Sequence, residues 1–244
     1  MRQIACLLLV CANAALAQNF VKSAGRGTIT EPGLYRLDRD LTSGIMILAN
    51  DVTLDLNGYS ISGVNARTES GITIRSVQGV EVFGGSLNGF GFGVVVDTSA
   101  NVRVHDMRIR ALNLPVVAPP PEVGIMVVQS ANVVVENNSI YNAGLGIFVR
   151  GGNSRGNRIA NNTVTGGTNS VFGICYNPTP SDPRGPRGDL IYNNVITGFP
   201  TAISMSDLSL ANVIRENTLA FGTAAIQSPS ATNMDVDNVK VKLP

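Results

Sequence analysis

The chain has 244 residues, with 18 Lys and Arg against 17 Asp and Glu, no tryptophan, one histidine and three cysteines. So even a charge balance argues against nucleic acid or an anionic membrane as the main partner. A lone histidine excludes a multi-histidine metal site within one chain.

In chain order, residues 1–17 read as a secretory signal peptide: Arg2, an apolar run from Ile4 to Val10, then Ala15-Leu16-Ala17 before the cleavage point. The apolar run is too short to span a bilayer. The predicted mature chain starts at Gln18 and is secreted or periplasmic. Cys6 and Cys11 leave with the leader, so Cys175 stands alone and no internal disulfide can form. Residues 18–43 are predicted to cap the fold, with Thr28 to Leu37 as a hairpin about Glu31-Pro32-Gly33, because stacked strands otherwise leave an unpaired edge.

Residues 44–230 repeat. Small-apolar-x-apolar segments recur at Gly44-Ile45, Gly71-Ile72, Gly93-Val94, Gly124-Ile125, Gly146-Ile147, Gly173-Ile174, Ala202-Ile203 and Ala225-Ile226. Gly71 and Gly93 stand 22 residues apart, as do Gly124 and Gly146. Each repeat carries two more strand signals. One is an alternating run such as Val80-x-Val82 or Val102-x-Val104; the other is a single buried position at Leu87, Ile109, Ile140, Val164, Ile196 and Leu219. Residues 231–244 are predicted to end the stack as an edge strand and cap, with Lys240 and Lys242 alternating with Val239, Val241 and Leu243 against edge-to-edge aggregation.

Three short strands per repeat, without helical periodicity, exclude a doubly wound sheet, whose parallel strands need long crossovers. The pattern predicts an all-β, right-handed parallel β-helix solenoid of about seven to eight coils, since no coil buries its apolar face alone. Turn chemistry agrees. Asn137-Asn138, Asn161-Asn162, Asn193-Asn194 and Glu216-Asn217 fall at one place in successive coils, suited to left-handed backbone and to an amide ladder.

The segment from Asp51 to Gly63, Asp-Val-Thr-Leu-Asp-Leu-Asn-Gly-Tyr-Ser-Ile-Ser-Gly, resembles the opening coil of many exported bacterial right-handed β-helix proteins of the pectin-lyase-like superfamily. The resemblance covers about residues 28–230. It implies the fold firmly and leaves the activity open among pectate and alginate lyases, polygalacturonases, uronan epimerases and copper-delivery proteins. It also implies a substrate groove over the Gly-Ile strands.

Repeat arithmetic points to the same face. Two insertions, Ala111 to Val123 and Asn177 to Gly188, flank the Gly-Ile strands, and long loops on a rigid scaffold carry function. Strand alternation turns Thr73 and Arg75, Val95 and Asp97, Met126 and Val128, Phe148 and Arg150, Cys175 and Asn177 outward. Glu69 and Glu122 precede two of these strands. The expected binding residues are Arg75, Glu122, Met126, Phe148 and Asn177. If the chain is an enzyme, Arg150, Asp97 and Tyr176 are the expected catalytic groups.

The groove offers only Asp97 and Glu122 as a carboxylate pair, which disfavours glycoside hydrolysis. Uronan β-elimination, with a groove arginine stabilising developing charge, is the enzymatic alternative. Calcium is the one cofactor left open, although no cluster of acidic ligands stands in the groove. Copper would need soft ligands, and Met126 and Cys175 lie two coils apart. The apolar stripe Val95, Met126, Phe148 reads as a small satellite core, or as a surface for sugar rings or another subunit. On the alternating strands, Glu81 neighbours Arg103 and His105 neighbours Glu136, which reads as an ion-pair ladder before a catalytic base. The resulting expectation is an exported β-helix that binds an extended polysaccharide or surface partner along the Gly-Ile strand face, without catalysis; self-association stays open.

Overall fold

The computed structural model describes residues 21–24, 27–111 and 122–244; the leader and most of the first Pro-rich loop lie outside them. Among the described residues there are 23 β-strands and no helix. They form a 10-stranded sheet, carrying the alternating runs, and a 13-stranded sheet, carrying the other two strand types. Every pairing between named strands is parallel, each strand meeting its copy one coil later: Ile72 beside Val94, Val94 beside Ile125, Ile125 beside Ile147, Ile147 beside Ile174, Ile174 beside Ile203. This is the predicted parallel β-helix.

The three predicted faces are present, but two share one sheet. Where the corner between them is short, the chain runs through it as a single strand, as in Ser86–Asp97 and Val195–Met205. Gly89 and Gly198 bend these corners at φ of 73° and 76°. Where the corner is longer the strand divides, as between Arg108–Ala111 and Val123–Val128.

The glycine of each Gly-Ile strand has a steric cause. A Cβ on Gly124 would stand 2.5 Å from Cγ2 of Ile140 and 2.6 Å from the carbonyl oxygen of Gly146. On Gly146 it would meet Val164 at 2.2 Å and the Gly173 carbonyl at 2.4 Å. The coil is narrow here, so one residue must give its side-chain volume to the strand opposite.

The expected N-terminal hairpin is corrected. Gly27–Ile29 pairs in parallel with Ile45–Ile47, and Gly33–Arg36 pairs in parallel with Val52–Asp55. Glu31-Pro32-Gly33 therefore turns the chain from one sheet to the other rather than back on itself. Its turn chemistry is the same in both cases, and only the neighbours above distinguish them. At the other end, Val239–Lys242 pairs with Thr218–Gln227, leaving Val239 and Val241 exposed.

The corners carry the rest of the fold. Asn137, Asn161, Asn193 and Glu216 hold φ between 53° and 56°, the left-handed turn itself. Their successors form the ladder. Oδ1 of Asn162 accepts the backbone N–H and the side-chain amide of Asn138, both at 3.0 Å, and Asn194, Asn217 and Asn238 repeat this downwards. All but Asn238 are buried. Each amide thus meets the demand that buried polar groups be bonded. A second ladder, Asn157, Asp189, Asn212, Asn233, lines the opposite corner. Asp189 is its only carboxylate.

Candidate functional site

The outward column on the Gly-Ile strands is in the predicted register: Met46, Thr73, Val95, Met126, Phe148, Cys175, Ser204. Its neighbour runs Arg75, Asp97, Val128, Arg150, Asn177. The two ends of the face differ in access.

Toward the C-terminal end the face is closed. Val123, Leu145 and Cys175 form a separate buried cluster, with Phe92, Met126, Phe148 and Phe172 packed against it. This is the satellite core. Cys175 is 1 % exposed, and burial pushes its thiol up to about 12. Asn177 donates to Cys175 Sγ at 3.5 Å. Arg150 lies over the Phe148 ring, 5.1 Å from its centroid, with a buried Nε that has no hydrogen-bond partner among the described residues. Glu122 is 2 % exposed and does not line an open groove.

Tyr176 is corrected outright. It shares the inward parity of Ile174, is 0 % exposed and belongs to the main core. Burial raises its phenol well above the usual range, and its hydroxyl faces Asp189 without closing a hydrogen bond of ordinary geometry. It cannot reach a ligand on the outer face. The sequence held this signal, since side chains two apart on a strand share a face.

Toward the N-terminal end the face is open. A cavity of about 570 Å³ is lined by Thr28, Met46, Thr68, Glu69, Thr73 and Arg75, among others, with Phe90 at its edge. Arg75 donates from Nε to Asp97 Oδ2 at 3.1 Å, which holds the guanidinium over the strand and ties up Asp97. The site combines hydroxyls, one carboxylate and one cation above the Met46 thioether, while Phe90 beneath it is buried in the main core. Of the residues expected to act here, Arg75 and Asp97 meet; Arg150, Met126, Phe148 and Asn177 belong to the closed end. Sequence reasoning named Glu69 without a role, missed Thr28 because Thr28 to Leu37 was read as a hairpin, and gave Met46 no outward role although Gly44-Ile45 was read as a repeat.

The ion-pair ladder on the alternating strands is present and more connected than expected. Arg103 bridges Glu81 at 2.8 Å and Glu136 at 2.7 Å, and Arg158 reaches Glu136 at 2.7 Å. His105 pairs not with Glu136 but with Asp106 through Nδ1 at 2.6 Å and Glu81 through Nε2 at 3.0 Å, and it stacks on Phe83. With both ring nitrogens engaged and 7 % exposure, it has no free lone pair for a substrate or a metal.

Soft metal ligands do not converge. Met126 and Cys175 are separated by Phe148 in their column, two coil steps of about 4.8 Å each. Among the described residues no group of three His, Cys, Asp or Glu stands close enough to hold a metal ion. No helix among them is long and apolar enough to cross a membrane.

The fold is similar to that of a mutant of the periplasmic alginate epimerase AlgG, with TM-score 0.59 and 14 % identity over 84 % of this chain and 54 % of that one. It is also similar to alginate lyase from Paenibacillus sp. str. FPU-7, with TM-score 0.60 and 13 % identity over 87 % of this chain and 94 % of that one. The chain thus spans about half the length of the epimerase it matches. No curated protein matches it as a relative. The family described as periplasmic copper-binding protein (NosD) matches residues 50–239, and on that match the chain belongs to this periplasmic β-helix family.

Proposed function

We propose that this is an exported β-helix protein that binds an extended acidic polysaccharide on its Gly-Ile face, seated at the open N-terminal end, without turning it over. The carrying observation is the cavity of about 570 Å³ around Arg75. Ring faces pack on the Met46 thioether, sugar hydroxyls bond to threonine, and a uronate carboxylate pairs with the guanidinium. A few convergent polar groups on a concave, partly apolar wall are what a ligand site needs. The leader through Ala17 takes the chain across the inner membrane, in keeping with a periplasmic family.

The lyase alternative needs a base beside the cation. Tyr176 is in the core and Asp97 is held by Arg75, which leaves Glu69 as the carboxylate at the cavity. Binding is therefore preferred to β-elimination. Copper does not enter this reading. The family description names the metal, but the thiol is buried, the imidazole is engaged on another sheet and the sulfur ligands lie apart. Calcium likewise finds no acidic cluster among the described residues.

The experiment incubates the protein with alginate and polygalacturonate, following retention and the ultraviolet absorbance of unsaturated products. These probes are chosen because two structures of the same fold are named for alginate. Retention without absorbance, weakened about tenfold or more in Arg75→Ala, is expected for a lost charge-assisted bond. Rising absorbance would make the protein a lyase; retention unchanged in Arg75→Ala would move the site elsewhere.

A further inference from the structure

A second concave surface lies around the corner, between the Gly-Ile strands and the alternating strands. It is a trench of about 610 Å³ that crosses five coils and is lined by Asn50, Ser76, Gln78, Thr98, Gln129 and Arg155, among others. Its last three corner residues, Ala100, Ala131 and Arg155, bridge successively in parallel, and the line continues past the end of the trench through Arg187 and Leu210. The two alanines make the floor low. Asn50, at one end, and Arg155, at the other, are four coil steps apart, roughly 19 Å at the interstrand spacing.

The arginines are the unusual part. Arg155 and Arg187 occupy the same corner position in successive coils, so like charges stand side by side, an arrangement that costs stability. Both are exposed, and neither has a side-chain partner among the described residues. The bordering carboxylates are already occupied. Asp97 is bound to Arg75, and Asp182 is gripped by Arg184 at 2.8 and 2.9 Å, which holds its carboxyl well below the usual range. Asp51 stands at the far end. The rim is meanwhile fixed in place: Gln129 donates to Thr179 and Asp182, each at 3.3 Å, and accepts the backbone N–H of Asn153 at 3.0 Å.

From this placement we infer that the trench is a second binding site, for an acidic oligosaccharide laid along the helix axis. Its hydroxyls meet the amides and hydroxyls of the rim, and a carboxylate meets Arg155 and Arg187. The pair of unopposed guanidinium groups supplies the anion preference, and the low alanine floor supplies the space for a chain rather than a lone ion. The Arg75 cavity opens on the adjoining face, and the Arg75–Asp97 pair stands between the two.

The test is fluorescence anisotropy with a labelled oligogalacturonate, beside a neutral oligosaccharide of equal length, with inorganic sulfate as competitor. The variants are the double change Arg155→Ala/Arg187→Ala and the single change Ala131→Leu, which fills the floor without altering charge; circular dichroism confirms that each folds. The double variant is expected to lose about tenfold or more of the affinity, as for a lost charge-assisted contact. Ala131→Leu is expected to weaken binding too, while Arg75→Ala leaves this component in place. Loss in Arg75→Ala alone would overturn the trench and keep the front-face reading. Equal binding of the neutral oligomer, or displacement by sulfate as effective as by unlabelled oligogalacturonate, would reduce the trench to a general polar or anion-holding surface and overturn the inference. Unchanged affinity in both trench variants would overturn it as well.

Discussion

The N-terminal and C-terminal coils turn the same corners with different chemistry. At the corner entering the alternating strand, Val52, Val80, Val102 and Val133 stack as an apolar column. Directly below, that column continues as Asn157, Asp189, Asn212 and Asn233. At the corner leaving the strand, Met107 gives way to Asn138 and the amides beneath it. The first half backs its valine column with a short hydroxyl ladder, Ser99 to Ser130 to Ser154, whereas the second carries amide ladders at both corners. Both proposed binding surfaces begin on the valine-cornered half, where the outer faces carry Arg75–Asp97 and the network around Glu136.

Breaking the amide half gives the largest effect. Asn194→Ala removes the acceptor of the Asn162 backbone and side-chain amides, and the donor to the Ile159 carbonyl. Stranding these buried groups is expected to cost about 3 kcal/mol or more, read by urea unfolding. A cost near zero would mean that the ladder is incidental to stability.

The next effect sharpens the comparison in the opposite direction. Asp189 accepts from Asn157 at 2.8 and 3.1 Å and its backbone N–H donates to Asn212 at 3.0 Å, but it has no side-chain amide to add a second donation. Burial raises its carboxyl to about 6 from the ordinary 3.8. The folded state therefore binds the extra proton, so stability is highest below the unfolded value and falls as pH rises through the folded one. The fall is about 3 kcal/mol between roughly pH 4 and pH 6. Asp189→Asn is expected to remove that slope and to raise the melting temperature at neutral pH, since the new amide completes the ladder. An unchanged pH profile would show that the carboxylate is better solvated than its surroundings indicate.

The smallest effect belongs to the outer face of the first half. Glu136→Gln breaks two ion pairs whose arginines are each more than two-fifths exposed. Water receives those guanidinium groups, so a loss of about 1 kcal/mol is expected, shrinking in high salt. A larger, salt-independent loss would place the network among the structural elements.

The sequence made the register legible because the Gly-Ile motif recurs in every coil even where insertions stretch the interval: Ile72, Val94, Ile125, Ile147 and Ile174 each found the expected neighbour. The ladder was legible too, since Asn138, Asn162, Asn194 and Asn217 each follow the buried residue of an alternating strand, Val135, Ile159, Ile191 and Ile214, at the same offset. Thr28 to Leu37 was misread because turn residues report a reversal of direction and not which strand lies beside it. Access on the Gly-Ile face was not legible either. Phe148 and Arg150 point outward as their parity requires, yet Leu145 and Val123 bury the ground around them, a matter of packing between coils. Asp189 stands where the sequence elsewhere has valine or asparagine, and only its bonds to Asn157 reveal the ladder position.

A ladder asparagine is self-complementary: what it offers the coil above matches what it takes from the coil below. A gene segment encoding the coil with Asn157 and Asn162, or that with Asn212 and Asn217, can be duplicated in tandem, and the copy finds every partner in place. The coil with Asp189 cannot be copied so freely, because two successive carboxylates would set acceptor against acceptor. The amide corners thus define where such a chain can lengthen by repeat duplication, and Asp189 marks a point where that growth is penalised.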